Sequence, residues 1–305
     1  MLNQIAVAAL AALAVAGDPG AARDTTFTVA PGSRMEVDNR VGSIRVRGIE
    51  GDRVRISAGD RPDRALRIRR SGTVVRVSIS ERWRAEEDRD EVDLDIEVPR
   101  GTSLRLQGVE TEIVVDGVTG SVEARSVDDG VRVRGPARAV RARSVDDDVV
   151  VSGARGRVDL YTVDGDVRVD DVEGGLVAES IDGDLMLRSV RSERVQGSTM
   201  DGDVLFDGSI RSGGEYALST HDGDLWITVA EGTSAAFEVS LHSGSVDASF
   251  PLSDVETESG GRTYHFVTGD GSARVELRSF DGVVFLRRPG ELPDDRMPDS
   301  DEDRS

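Results

Sequence analysis

The sequence predicts an all-β protein: a single-stranded β-solenoid, or β-helix, with coils of about 18–21 residues that carry two strands each. Three observations point to it. From residue 99 to 188 a nine-residue phrase repeats ten times in one register, as in TVDGDVRVD (162–170), DVEGGLVAE (171–179) and SIDGDLMLR (180–188). Positions 6 and 8 of each phrase are apolar or small, a period-two pattern that makes a half-buried strand and not a helix. Turns rich in Asp and Gly at positions 3 to 5 recur every 18 residues, so the physical unit is a coil of two phrases. One coil cannot bury its apolar side, whereas a stack buries it continuously.

With position 2 also inward, Val163, Val167, Val169, Val172, Leu176, Ile181, Leu185 and Leu187 are expected in one core. Asp147 occupies the turn position filled by Gly165, Gly183, Gly202 and Gly223 in later coils. It is expected to share their backbone, because Asp tolerates positive φ better than most residues.

The elements follow in order. Residues 1–22 read as a signal peptide, with an apolar run over 5–15, no basic residue before it, and cleavage after Ala16 or Ala22. That run is too short to cross a bilayer, and no later segment comes near the required length, so the mature chain carries no stable membrane span. The expected location is exported: periplasm, cell surface or extracellular. Residues 25–98 form an irregular N-terminal β cap with the first coils. Strands at 25–29 and 35–37 flank Pro31-Gly32, and Ile44, Val46, Val54 and Ile56 make the first inward pair. A hairpin spans 67–79 around Ser71-Gly72, a charged loop follows at 81–90, and a strand covers 92–98. Such a cap shields unpaired backbone at the end of the stack. Residues 99–288 are the solenoid repeats, with coils lengthening to 19 and then 21 residues. The longer coils carry Phe206, Trp226, Phe237, Phe250, Tyr264 and Phe266, which widen the core. Residues 289–305 are acidic and broken by proline, and are expected to be disordered.

Acidic residues number 58 against 38 basic ones, every one an Arg, for a net charge of −20. That balance excludes nucleic-acid binding through a basic surface. No Cys is present, which excludes disulfides and a lipid-modified cysteine.

The stretch GSIRVRG (42–48), the strand ending in Val98-Pro99 and the repeated S/T-x-D-G-D phrases resemble a bacterial putative-adhesin domain family over roughly residues 30–288. The resemblance implies a β-strand-repeat fold found in exported and envelope proteins. It implies no catalytic residues.

The Asp turns are the strongest candidate site. Asp164, Asp166, Asp182, Asp184, Asp201 and Asp203 fall at equivalent coil positions, so stacking sets them as a carboxylate ladder along one edge at the ~4.8 Å strand spacing. Oxygen-rich ladders suit Ca²⁺, the one cofactor this pattern leaves open. The same residues also suit the turn geometry, and exposed carboxylates at that spacing repel by only about 1 kcal/mol in water, so the ladder stands without a cation. The calcium-binding nonapeptide G-G-x-G-x-D-x-U-x has a longer turn and does not match.

On one sheet face Glu123, Arg141 and Asp159 alternate in sign on successive coils. On the other, Met186, Leu205 and Trp226 share an outward position, either as a partner surface or covered by the 209–219 connection or the hairpin. Of the three histidines, His221, His242 and His265, the first two sit beside turns, expected in successive coils, either as core histidines or, near each other and the Asp edge, as metal ligands. No Ser-His-Asp order, phosphate loop or HExxH motif is present. The function expected is therefore non-enzymatic: an exported, adhesin-like interaction or scaffolding module of the bacterial cell envelope, with an envelope protein or polysaccharide as partner. A carbohydrate-active β-helix enzyme, a calcium-dependent adhesion module and a self-polymerising filament are the alternatives.

Overall fold

A computed structural model describes residues 24–59, 65–80, 91–252, 256–257 and 262–292. The leader, the charged loop at 81–90 and the tail from 293 onward lie outside the described residues. Among the described residues there are 25 strands and no helix, all hydrogen-bonded into one sheet that winds on itself.

In the regular part each coil contributes one strand to each side of the stack. Ser121–Arg125, Ala139–Arg143, Arg157–Tyr161 and Leu176–Glu179 pair in parallel up one side. Val131–Arg134, Val149–Ser152, Val167–Asp170 and Leu185–Val190 do so up the other. The register is 18 residues per step, then 19 from Leu185 to Val204 and 21 from Val204 to Leu225. Alternate side chains point inward, and Val167, Val169, Leu176, Leu185 and Leu187 form one continuous buried core with Val172. Phe206, Phe237 and Phe266 fill its wider end, and Tyr216 is buried beside them.

The inward register differs from expectation at one corner. Val163 is only half-buried and Ile181 is 40% exposed. The preceding residue points inward instead: Ser126, Ser144, Thr162, Ser180, Thr199 and Thr220 are all buried. Each hydroxyl donates to a carbonyl of the preceding coil's turn, as from Ser126 to Thr111 (2.7 Å), Thr162 to Asp147 (3.0 Å) and Thr220 to Gly202 (2.8 Å). These carbonyls lie where the chain passes between the two sides, and a small inward hydroxyl satisfies them inside a tight bend.

Turn conformations also divide more finely than expected. Gly165, Gly183, Gly202 and Gly223 have φ between +137° and +146°. A Cβ on Gly183 would lie 2.1 Å from the Gly165 carbonyl oxygen, so close stacking as well as φ requires glycine. Asp147 does not share that backbone, since Asp171 (φ 51°) and Ser189 (φ 53°) are the non-glycine residues with positive φ among those described. Having a Cβ to accommodate, Asp147 keeps an ordinary φ, and its carboxylate accepts the Asp148 N–H at 2.6 Å. Asp171 and Ser189 instead continue the left-handed column begun by Gly117, Gly135 and Gly153 at the opposite corner.

At both ends the chain departs from sequential stacking. Arg34–Asp38 and Val41–Ile49 lie between two coils, the one formed by Ser103–Gln107 with Glu110–Asp116 and the one formed by Val74–Ser80 with Val92–Pro99. Ala65–Ser71 and Arg53–Ala58 then cover the outer coil in antiparallel fashion, with Asp24–Thr28 outside Arg53–Ala58. Ile44, Val46, Val54 and Ile56 are thus all inward, yet their strands are not neighbours. At the other end Ala273–Arg287 spans both sides of the stack. It lies between the coil of Glu215–Asp222 and Leu225–Thr228 and the outer strand Ala235–Ala248. Arg262–Thr268 covers that outer strand in antiparallel fashion.

Candidate interaction surface

The Ser/Thr corner carries three side-chain files: the residue after the buried hydroxyl, the carboxylate that follows it, and a second carboxylate two residues further on. Asp164, Asp182, Asp201 and Asp222 are joined by parallel bridges into one exposed column. Asp128 and Asp146 extend it at one end and Asp281, opposite Asp222, at the other. None of these seven carboxylates has an Arg partner among the described residues.

The other three predicted carboxylates lie two residues further along, half-buried, and perform a structural task. Asp148 accepts the Asp166 backbone N–H at 2.9 Å, Asp166 that of Asp184 at 2.9 Å, and Asp184 that of Asp203 at 2.8 Å. Asp203 accepts from Asp224 at 2.6 Å and Asp224 from Val283 at 2.7 Å. Each carboxylate thus satisfies a turn amide that the sheet ladder does not reach. Arg168 pairs with Asp148 and Asp166 at the start of this column. Asp203 lacks such a cation, and burial, reinforced by the neighbouring Asp184 and Asp224 charges, raises its pKa to about 6. Asp164, Asp182 and Asp201 therefore stand apart from Asp166, Asp184 and Asp203. Among the described residues no three His, Asp or Glu side chains converge closely enough to hold a metal ion.

The predicted outward stripe is in register, Met186 beside Leu205, Trp226 and then Phe285. It is not an open surface, because Leu205 is only 1% exposed and Met186 and Trp226 are half-buried. Trp226 stacks on Phe285 at 3.7 Å, with the Arg287 guanidinium 4.8 Å from the Phe285 ring. Glu123, Arg141 and Asp159 occupy neighbouring positions as expected, and Arg141 reaches Asp159 at 3.3 Å. The histidines depart from both readings. His221 and His242 are exposed, and Phe280 of the inserted strand lies between them, stacked at 4.4 Å and 4.2 Å. His265 lies on the covering strand opposite Glu238.

Between the hydroxyls and the exposed carboxylates runs the file that sequence reasoning placed in the core. Val109, Val127, Val145, Val163, Ile181 and Met200 sit one above another, as the amide of each Asp or Val bonds to the carbonyl of the apolar residue one coil earlier. The His221–Phe280–His242 stack continues the line. Of the large apolar side chains exposed among the described residues, all but Val267 belong to this file, with Met200 at 59% and Phe280 at 45%. A signal for it was present: carrying period two across the phrase boundary makes the Ser or Thr inward and the next residue outward.

The Toastrack DUF4097 family model matches residues 33–287, the whole stack from the first inserted strand to the last. The chain belongs to the Toastrack DUF4097 family. Among solved structures, the Toastrack chain is similar to a putative adhesin from Parabacteroides distasonis, with 11% identity and a TM-score of 0.44. That match covers 87% of this chain and 96% of the other. A putative adhesin from Bacteroides fragilis gives 12% and 0.40, with the same coverage. A putative cell adhesion protein from Clostridium sporogenes gives 10% and 0.23, over 87% and 98% of the two chains. At these scores the likeness is loose, and membership of the Toastrack family stands on the family match alone. No curated protein matches the chain. No helix among the described residues is long and apolar enough to cross a membrane.

Proposed function

We propose that this Toastrack protein is an exported, non-enzymatic β-solenoid that acts as an interaction or scaffolding module of the bacterial cell envelope, binding an envelope protein or polysaccharide. The observation that carries this reading is the concentration of exposed apolar side chains in one straight file along a single corner. Scattered apolar residues are ordinary on any surface, whereas a contiguous line of them marks a contact. The stack holds that line rigidly, since its backbone is bonded coil to coil along the whole length.

The test is a pull-down from an envelope fraction with the full chain as bait, repeated with Val127→Thr, Val145→Thr and Ile181→Thr combined. A partner captured by the first bait and lost with the second supports the reading; equal capture by both removes the corner from it. Cell fractionation, with mass spectrometry of the mature N-terminus, tests export and cleavage after Ala16 or Ala22.

A further inference from the structure

We infer that the apolar corner file is a docking strip for a basic, amphipathic helical segment of a partner polypeptide, an assignment that rests on the interaction reading above. Two parallel lines define the strip. One is apolar and runs Val109, Val127, Val145, Val163, Ile181, Met200; the other is the adjacent carboxylate column from Asp128 to Asp281.

The charge pattern selects a cationic partner. At two other places the chain clamps a carboxylate between two arginines: Arg155 and Arg191 both hold Asp171 at the opposite corner, and Arg141 and Arg157 both hold Asp159 on a face. Among the described residues the column beside the apolar file has no such arginines, although the chain contains 38 basic residues. Carboxylates at ~4.8 Å spacing lie well inside the ~8 Å screening length, so they repel one another until a cation arrives. An anionic polymer would add to that repulsion, and a neutral one would leave it in place.

The two-line geometry selects a helix. In an extended segment successive side chains point to opposite faces, so apolar and basic residues cannot both address two adjacent parallel lines. An amphipathic helix presents an apolar stripe with a basic stripe beside it. Its Lys or Arg stems lie over the apolar file while the heads reach the carboxylates. From Val109 to His242 the strip crosses nine coils, ~38 Å at the strand spacing, which is the length of a helix of about 25 residues.

The probe is a labelled peptide of Lys and Leu in amphipathic order, titrated with the full chain by fluorescence anisotropy. The controls are the same composition scrambled, a Lys–Ser peptide of equal charge, and a Glu–Leu peptide. The amphipathic peptide is expected to bind at least about tenfold more tightly than the scrambled and Lys–Ser peptides, with binding weakened by salt, while the Glu–Leu peptide does not bind. Val127→Thr/Val145→Thr/Ile181→Thr and, separately, Asp146→Asn/Asp164→Asn/Asp182→Asn should each weaken it about tenfold. Gln196→Ser on a sheet face should leave it unchanged, and circular dichroism checks that every variant keeps its strands. Equal affinity for the scrambled or Lys–Ser peptide, or indifference to the file variants, overturns the proposal. So does a dimer in sedimentation that the file variants dissolve, which would make a second copy the occupant. A partner captured from the envelope through the file, together with failure of every basic peptide, would refute the helix and leave the interaction reading standing.

Discussion

The Asp203 carboxylate accepts the backbone N–H of Asp224 at 2.6 Å, one coil further on, with no arginine beside it among the described residues. Its pKa of about 6 lies above the ordinary value, so between roughly pH 4 and 6 the folded chain holds a proton that the unfolded chain releases. The stabilisation is complete below the unfolded pKa and is lost as pH rises through the folded one. Asp203→Asn keeps the accepting oxygen and removes the charge. It is expected to be more stable than the parent at pH 7.5 by about 1–2 kcal/mol, with the advantage vanishing near pH 4. Paired denaturant titrations across that range check it. A constant difference at every pH would refute the assignment to Asp203.

Left-handed backbone supplies a second prediction. Ser189 is exposed, with φ 53° and a Cβ that this conformation disfavours. Ser189→Gly should stabilise by about 1 kcal/mol. Asp171→Gly relieves the same strain but loses the pairings with Arg155 and Arg191, so it should gain less. Gly183→Val should cost about 2–4 kcal/mol, because the new side chain meets the Gly165 carbonyl as well as an unfavourable φ. Thermal melts of the three variants must fall in that order.

The corner register makes a third. Leu185→Ala should destabilise by about 2–5 kcal/mol. Ile181→Ala, four residues earlier in the same phrase, should cost less than about 1 kcal/mol, because Ile181 is 40% exposed. Comparable losses for both would restore the register in which position 2 is buried.

Tyr216 carries a fourth. Its hydroxyl donates to the Ser192 carbonyl at 2.7 Å and accepts the Arg211 N–H at 2.7 Å, tying the connection after residue 208 to the core. Burial holds the phenol above its usual pKa. Tyr216→Phe preserves the ring contact with Phe206 and strands both backbone groups. The expected cost is about 1–3 kcal/mol, with hydrogen exchange fastest at residues 209–214.

The repeat made the coil legible because positions 6 and 8 alternate strictly and backbone pairing holds them in step. Position 2 was ambiguous for a local reason. After Gly117, Gly153 and Asp171 the left-handed residue reverses the strand phase, so Val118, Ala154 and Val172 turn inward. After Ser126, Ser144 and Thr162 the phase runs on, and Val127, Val145 and Val163 turn outward. One nine-residue template averages these two corners and hides the exposed file. The inserted strands were illegible for another reason: pairing Arg34 with Ser103, or Glu215 with Arg274, skips a length of chain that no local period encodes. Hence Phe280, distant in the chain, came between His221 and His242.

Those insertions determine how the molecule meets tension. In a stack laid down in chain order, a pull on either terminus would peel the outermost coil one hydrogen bond at a time. Here a pull on the N-terminal side frees the edge strand Asp24–Thr28 and then meets Arg34–Asp38, and one on the C-terminal side meets Ala273–Arg287, each of these two gripped by a strand on both sides. To yield, either strand must slide against two ladders at once, so many bonds share the strain and break together. A protein tethered by its ends between a cell and its surroundings would be clasped at both of them.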